Sequence, residues 1–210
     1  MCGIVAAAAG KNIVPVLVEG LKKLEYRGYD SAGLAVIGHS EIERVRSTGR
    51  VAELEAASAG TSAITGIAHT RWATHGIPSE RNAHPHVSGS IAVVHNGIIE
   101  NYETLRGELT AQGYVFTSDT DTESIAHLIQ STLKTEPDLL KAVQIACRHL
   151  VGAYAIAVID QNQPGKIIVS REGSPLLLGV SDTGNYAASD ASALLQVTRN
   201  MVYLENGDIA

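Results

Sequence analysis

Cys2-Gly3-Ile4-Val5-Ala6-Ala7-Ala8-Ala9 is the stretch on which the fold turns. The run from Gly3 carries no charge, and it is far shorter than the roughly 20 residues that span a bilayer, so it reads as a buried strand with Cys2 at its leading end. The first charge, Lys11, follows the run, so no cationic segment precedes it and it does not read as a signal peptide. Immediately beyond it, Val14, Leu17, Leu21 and Leu24 recur at helical spacing, with Lys22, Lys23 and Glu25 on the other face.

Further out, residues 32–37 and 42–46 read as an antiparallel pair joined by a turn around Gly38, and residues 49–57 as a short helix. Strands are expected at 63–70 and 90–95, separated by an aperiodic stretch, 71–89, of the length that functional loops have. Helices are expected at 101–112, 122–134 and 137–150, the second capped by the acidic turn Thr120-Asp121-Thr122-Glu123. Residues 152–159 and 166–170 flank Gln161-Asn162-Gln163-Pro164-Gly165, a hairpin signature, and 175–180, 185–188 and 201–204 continue as strands. Strands and helices are mixed without regular βα alternation. The expected class is α+β, with two antiparallel sheets packed together and helices outside.

With 210 residues, 45% of them hydrophobic, the chain can bury roughly 70% of its unfolded surface and needs neither disulfides nor a structural metal. Sixteen Lys and Arg against 22 Asp and Glu give a net charge of −6. With only one Trp, seven Tyr and one Phe, no basic, aromatic face for nucleic acid is expected. No membrane partner is expected either, and the location is read as cytoplasmic. The final Glu205-Asn206-Gly207-Asp208-Ile209-Ala210 is a turn leading into a further strand, which reads as a fragment of something longer.

Neither Gly-x-x-x-x-Gly-Lys nor Gly-x-Gly-x-x-Gly occurs, so no nucleotide site is implied. Five of the eight histidines lie between His69 and His95, and His84-Pro85-His86 offers metal-binding atoms. No His-x-x-x-His or Cys-x-x-Cys spacing supports them, and hydrogen-bonded or solvated loop histidines are the reading preferred to a metal site. Of the two cysteines, Cys147 falls in the helical apolar pattern of Leu139, Leu140, Val143, Ile145, Ala146 and Leu150 and reads as inert core. Cys2 differs, because a small residue after the initiator Met normally lets the Met be removed. That would leave a thiol, pKa near 8.5, beside an α-amine, pKa near roughly 7.7–8.0, which is a nucleophile carrying its own base. Thiol attack on an amide also needs its oxyanion held, and His95-Asn96-Gly97 offers a side-chain amide beside a flexible backbone N–H. Alone, Asn-Gly is more often a plain hairpin turn.

Five segments in order carry a family resemblance: Cys2-Gly3-Ile4-Val5, Arg27-Gly28-Tyr29-Asp30-Ser31-Ala32-Gly33, His69-Thr70-Arg71-Trp72-Ala73-Thr74-His75-Gly76, Val94-His95-Asn96-Gly97-Ile98-Ile99-Glu100-Asn101 and Thr120-Asp121-Thr122-Glu123. The chain resembles, over essentially its whole length, the glutaminase domain of the class II glutamine amidotransferases, which are N-terminal-nucleophile hydrolases. Its second and third segments are worded like those members that aminate fructose 6-phosphate. The resemblance implies a four-layer αββα sandwich with residues 1–210 as a single domain. It implies L-glutamine as substrate, Cys2 as nucleophile through a thioester, and Asn96 and Gly97 as the oxyanion hole. Arg71 would hold the substrate carboxylate and Asp121 its ammonium. Trp72, Thr74 and His75 would lie on a loop closing over glutamine, and Arg27 on a supporting loop. No cofactor or metal is implied.

Fructose 6-phosphate would be met only through C-terminal sugar isomerase domains outside these residues, in a homo-oligomeric enzyme. The alternatives are another class II amidotransferase, a stand-alone amidase of the same fold, or a histidine-rich metal-binding module. Two departures stand out: Ala6 replaces the family's usual Gly, and a retained Met1 would convert the Cys2 amine to a non-basic amide.

Overall fold

The computed structural model describes residues 2–38, 41–72 and 77–210. Strands β1 (Gly3–Ala9), β2 (Ser31–Ile37), β3 (Ile42–Ser47), β4 (Thr65–Arg71), β9 (Leu177–Ser181), β10 (Gly184–Ala188) and β11 (Met201–Tyr203) form one sheet, in the order β11-β9-β10-β1-β4-β2-β3. The second sheet orders β5 (His86–Ser88), β6 (Ile91–Ile99), β7 (Gly152–Asp160) and β8 (Ile168–Glu172) in sequence. Every pairing between these strands is antiparallel. The strand that follows Cys2, β1, is central, flanked by β10 and β4.

Side-chain alternation separates three apolar layers. On β1, Val5 and Ala7 face helices α1 (Val14–Leu24) and α2 (Val51–Ala57), packing with Leu17, Leu21, Leu24 and Leu54. Ile4 and Ala6 point the other way, into a layer between the sheets shared with Ile67, Ala92, Val94, Ala155 and Ala157. A third cluster joins Ile91, Val93 and Ile156 to Ile125, Leu139 and Leu109 of helices α3 (Tyr102–Ala111), α4 (Thr122–Leu133) and α5 (Leu139–Cys147). The order helix, sheet, sheet, helix is the four-layer αββα sandwich, and it follows from strands apolar on both faces.

The structure changes several details. The stretch 71–89 is not all loop: a 3₁₀ turn, Glu80–Asn82, precedes β5, which pairs His86 with Val93. The strand expected to end at residue 95 continues to Ile99, so Asn96-Gly97 lies inside β6, opposite Ala155 and Tyr154 of β7. Asp121 stands at the N-cap of α4 without a side-chain cap, because its Oδ2 accepts the Ile99 N–H at 2.8 Å instead. Glu123 reaches back in its place, accepting from the N–H groups of Thr117 at 2.8 Å and Ser118 at 2.7 Å. Helix α5 is shorter than expected, capped by Asp138, and Cys147 at its end is half-buried against the outer cluster. No helix among the described residues is long and apolar enough to cross a membrane.

Candidate active site

At the Cys2 end, the layer between the sheets changes from apolar to polar. β1 and β4 pair Ala6 with Ile67 and Ile4 with His69, so the same inner column runs apolar, then polar, and brings Arg71 beside Cys2. Across the layer, the column Ala92, Val94 on β6 continues to Asn96. The two sheets thus deliver Cys2 and Asn96 to one place from opposite sides, and Asn96 Nδ2 donates to the Cys2 carbonyl oxygen at 3.2 Å.

The Cys2 sulfur accepts the Trp72 backbone N–H at 3.2 Å. Burial pushes the thiol pKa up, against smaller lowering effects from that N–H and the Arg71 charge. The resting group is therefore a thiol that needs a base before it attacks.

Gly97 follows with φ of 126°, and a Cβ there would fall 1.9 Å from the Ala153 carbonyl oxygen. Only glycine fits the bend. A narrow recess is lined by Cys2, Gly97, Arg71, Asp121 and Trp72, with His84, His95 and Thr122 among its other walls. Arg71 is almost fully buried and runs within 3.5 Å of Asp30, while Asp121 is fixed by its bond to β6. A buried guanidinium and a buried carboxylate in one recess suit a ligand carrying both a carboxylate and an ammonium. A wider hollow of about 420 Å³ opens on the other side of Cys2, lined by Arg27, Asn96, Ile98 and Pro175 among others. Arg27 Nη1 donates to Ser189 Oγ at 3.3 Å, and the same oxygen accepts the Ile4 N–H at 3.1 Å, tying that segment to the strand that follows Cys2.

Cys2, Asn96, Gly97, Arg71, Asp121, Trp72 and Arg27 are therefore gathered around the two recesses. Thr74 and His75 lie outside the described residues. Among the described residues, His69, His84, His86 and His95 form a buried hydrogen-bonded group. His69 Nε2 meets Asn96 Oδ1 at 2.9 Å, His86 Nε2 meets Thr120 Oγ1 at 3.0 Å, and His95 Nδ1 meets Thr122 Oγ1 at 2.9 Å. Burial drives the pKa of His69 down to about 3 and holds His84 and His86 far below the ordinary imidazole range. His69 and Thr122 are site residues that the sequence reading passed over. The available signal was the period of two in Ile67, His69, Arg71, which puts a histidine on an inner, buried strand face.

A family model described as a glutamine amidotransferase domain matches residues 69–196. Among curated relatives, a glutamine–fructose-6-phosphate aminotransferase (isomerizing) of Xylella fastidiosa is 57% identical over all of this chain and 35% of its own length. The protein of the same name in Pseudomonas putida is 58% identical with the same coverage. The chain thus spans about a third of the length of these relatives. Among solved structures, the glutamine phosphoribosylpyrophosphate amidotransferase of B. subtilis superposes with a TM-score of 0.83 at 26% identity, covering 99% of this chain and 46% of that one. A class-II glutamine aminotransferase domain protein from Silicibacter pomeroyi, at a TM-score of 0.63 and 16% identity, covers 99% of this chain and 93% of that one, and shares the fold.

Proposed function

Because the chain belongs to the glutamine amidotransferase domain family, we propose that it hydrolyses L-glutamine to L-glutamate and ammonia, with Cys2 as nucleophile. The observation that carries this reading is the shared recess of Cys2, Gly97, Arg71 and Asp121, with Asn96 bonded to the Cys2 carbonyl at its edge. With Met1 removed, the Cys2 α-amine takes the thiol proton and the sulfur bonds to the glutamine side-chain carbonyl carbon. The carbonyl oxygen becomes an oxyanion held by Asn96 Nδ2–H and the Gly97 N–H. Collapse breaks the C–N bond, the protonated amine returns its proton to the leaving nitrogen, and ammonia departs from a glutamyl thioester. Water then attacks the thioester, giving glutamate and restoring the thiol. Arg71 pairs with the substrate α-carboxylate and Asp121 with its α-ammonium, so the reacting carbon is held over the sulfur. No step needs a metal or cofactor.

The relatives' name supports a finer proposal: the ammonia serves amination of fructose 6-phosphate in the amino-sugar branch of metabolism, in the cytoplasm, on sugar isomerase domains outside these 210 residues and within a homo-oligomer. The experiment incubates the processed chain with glutamine, fructose 6-phosphate and a chelator. Glutamate should form and amino sugar should not. Glutamate failing to appear would overturn the catalytic reading, and amino sugar appearing would show that an acceptor site lies within this chain.

A further inference from the structure

His69 lies on β4, fully buried, and lines neither recess. Its contact with Asn96 has a direction that the far end of the amide fixes. The Cys2 carbonyl oxygen can only accept, so the Asn96 atom 3.2 Å from it is the NH₂ group. The amide oxygen is then the end facing His69 at 2.9 Å, and His69 must donate to it from Nε2. A ring kept neutral by burial carries one proton, and donation to Oδ1 places that proton on Nε2.

The ring is held in place by its neighbours. His84 stacks on it with centroids 4.1 Å apart and planes 18° from parallel. His84 is itself pinned at both nitrogens, Nδ1 accepting the His95 N–H at 3.3 Å and Nε2 facing Thr122 Oγ1 at 3.2 Å. Its carbonyl oxygen lies against Gly33, where a Cβ would come within 2.1 Å, so the stacked pair is wedged onto β2.

A carboxamide has two ends of nearly equal size and opposite polarity. With its NH₂ toward the reaction it stabilises an oxyanion; turned over, it presents lone pairs that repel one. Building on the reading of Asn96 as an oxyanion donor, we infer that His69 is the positioning residue that sets this orientation, its Nε2–H holding Oδ1 and committing Nδ2 to the Cys2 side. Its influence acts through Asn96, so it belongs in kcat rather than in glutamine affinity.

The test compares His69→Phe, which keeps a ring to stack on His84 but has no N–H, with His69→Gln, which restores a donor. Both are measured alone and combined with Asn96→Ala, in the processed chain. His69→Phe is expected to lower kcat at least about 10-fold with KM for glutamine within about 3-fold, and His69→Gln to recover most of the loss. In the Asn96→Ala background, His69→Phe should cost nothing further, because the group it orients is gone. Alkylation of Cys2 by iodoacetamide, a direct displacement that forms no oxyanion, should proceed at the parental rate.

An unchanged kcat for His69→Phe would overturn the inference, and so would an undiminished loss on Asn96→Ala, which marks a merely structural effect. Should His69→Phe not fold, the same cycle is run with His69→Gln. Any loss it causes must vanish on Asn96→Ala, and a loss that persists there overturns the inference. If Asn96→Ala alone leaves kcat unchanged, it is the oxyanion reading of Asn96 that has failed, and the inference falls with it.

Discussion

At the scale of the residue, the two cysteines show how place decides chemistry. Both thiols are pushed up in pKa by burial, but Cys2 opens onto two recesses and accepts the Trp72 N–H, whereas Cys147 sits at the end of α5 against Tyr154 and Ser170. A glutamine-mimicking electrophile should therefore label Cys2 and spare Cys147, and peptide mapping that found the adduct on Cys147 would contradict the assignment. Arg71 makes a second case. A guanidinium can grip a carboxylate with two parallel N–H bonds while its own burial keeps water out. Arg71→Lys is expected to raise KM for glutamine and lower kcat/KM by about 10-fold or more, and steady-state kinetics with equal kcat/KM would show that charge alone matters. The chemistry proposed for Cys2 and Asn96 could be read from sequence because it resides in the functional groups themselves, whereas the role proposed for Arg71 came with the family resemblance. That of His69 was not legible, since a histidine in a strand acquires its task only from what the facing sheet brings within 2.9 Å.

At the scale of the element, β6 does the positioning that a hairpin turn could not. Running the strand through Asn96-Gly97 to Ile99 lets one element present the proposed oxyanion donors and also supply the Ile99 N–H that anchors Asp121. The bend at Gly97 is what a side chain would break. Gly97→Ala should lower the melting temperature by at least about 2 °C and abolish glutamine turnover, because a Cβ there meets the β7 backbone in a conformation that L residues disfavour. A variant that melts and turns over like the parent would show that the bend is dispensable. Element identity was readable wherever periodicity ran long, as in β1, α1 and α4. The three-residue β5 was hidden because its pairing depends on β6 and not on its own composition, and the Asp121 contact was hidden because a cap reads the same in sequence whichever backbone N–H it reaches.

At the scale of the whole molecule, the buried imidazoles tie stability to pH. His69 has its pKa held at about 3 in the fold, against about 6.5 in the unfolded chain. Above about pH 6.5 neither state protonates the ring and nothing is lost. As pH falls from there toward 3, the unfolded chain takes up the proton and the fold does not, so each such ring removes about 1.4 kcal/mol per pH unit. His84 and His86 shift in the same direction. The depressed carboxyl of Glu123 adds a loss of the same sign at lower pH: burial works to raise it, but the hydrogen bonds from Ser118 and Thr117 prevail. Melting curves should thus show stability falling steeply as pH drops below about 6.5 toward 5, and a flat profile there would mean that the rings are charged in the fold.

The two sheets draw on the chain differently, and this sets an order of events at the ribosome. Strands β5 to β8 of the second sheet, with α3 to α5, come from one uninterrupted stretch and emerge together, and the 208–210 segment that bonds to β8 follows later. The first sheet is split around that stretch: β1 emerges ahead of it, yet the edge that Val5 shares with Ala188 must wait until β10 is made. While that stretch is being made, the strand bearing Cys2 has one open edge in the company of other nascent chains. The strand of Cys2 is therefore made ahead of the second sheet and closed after it.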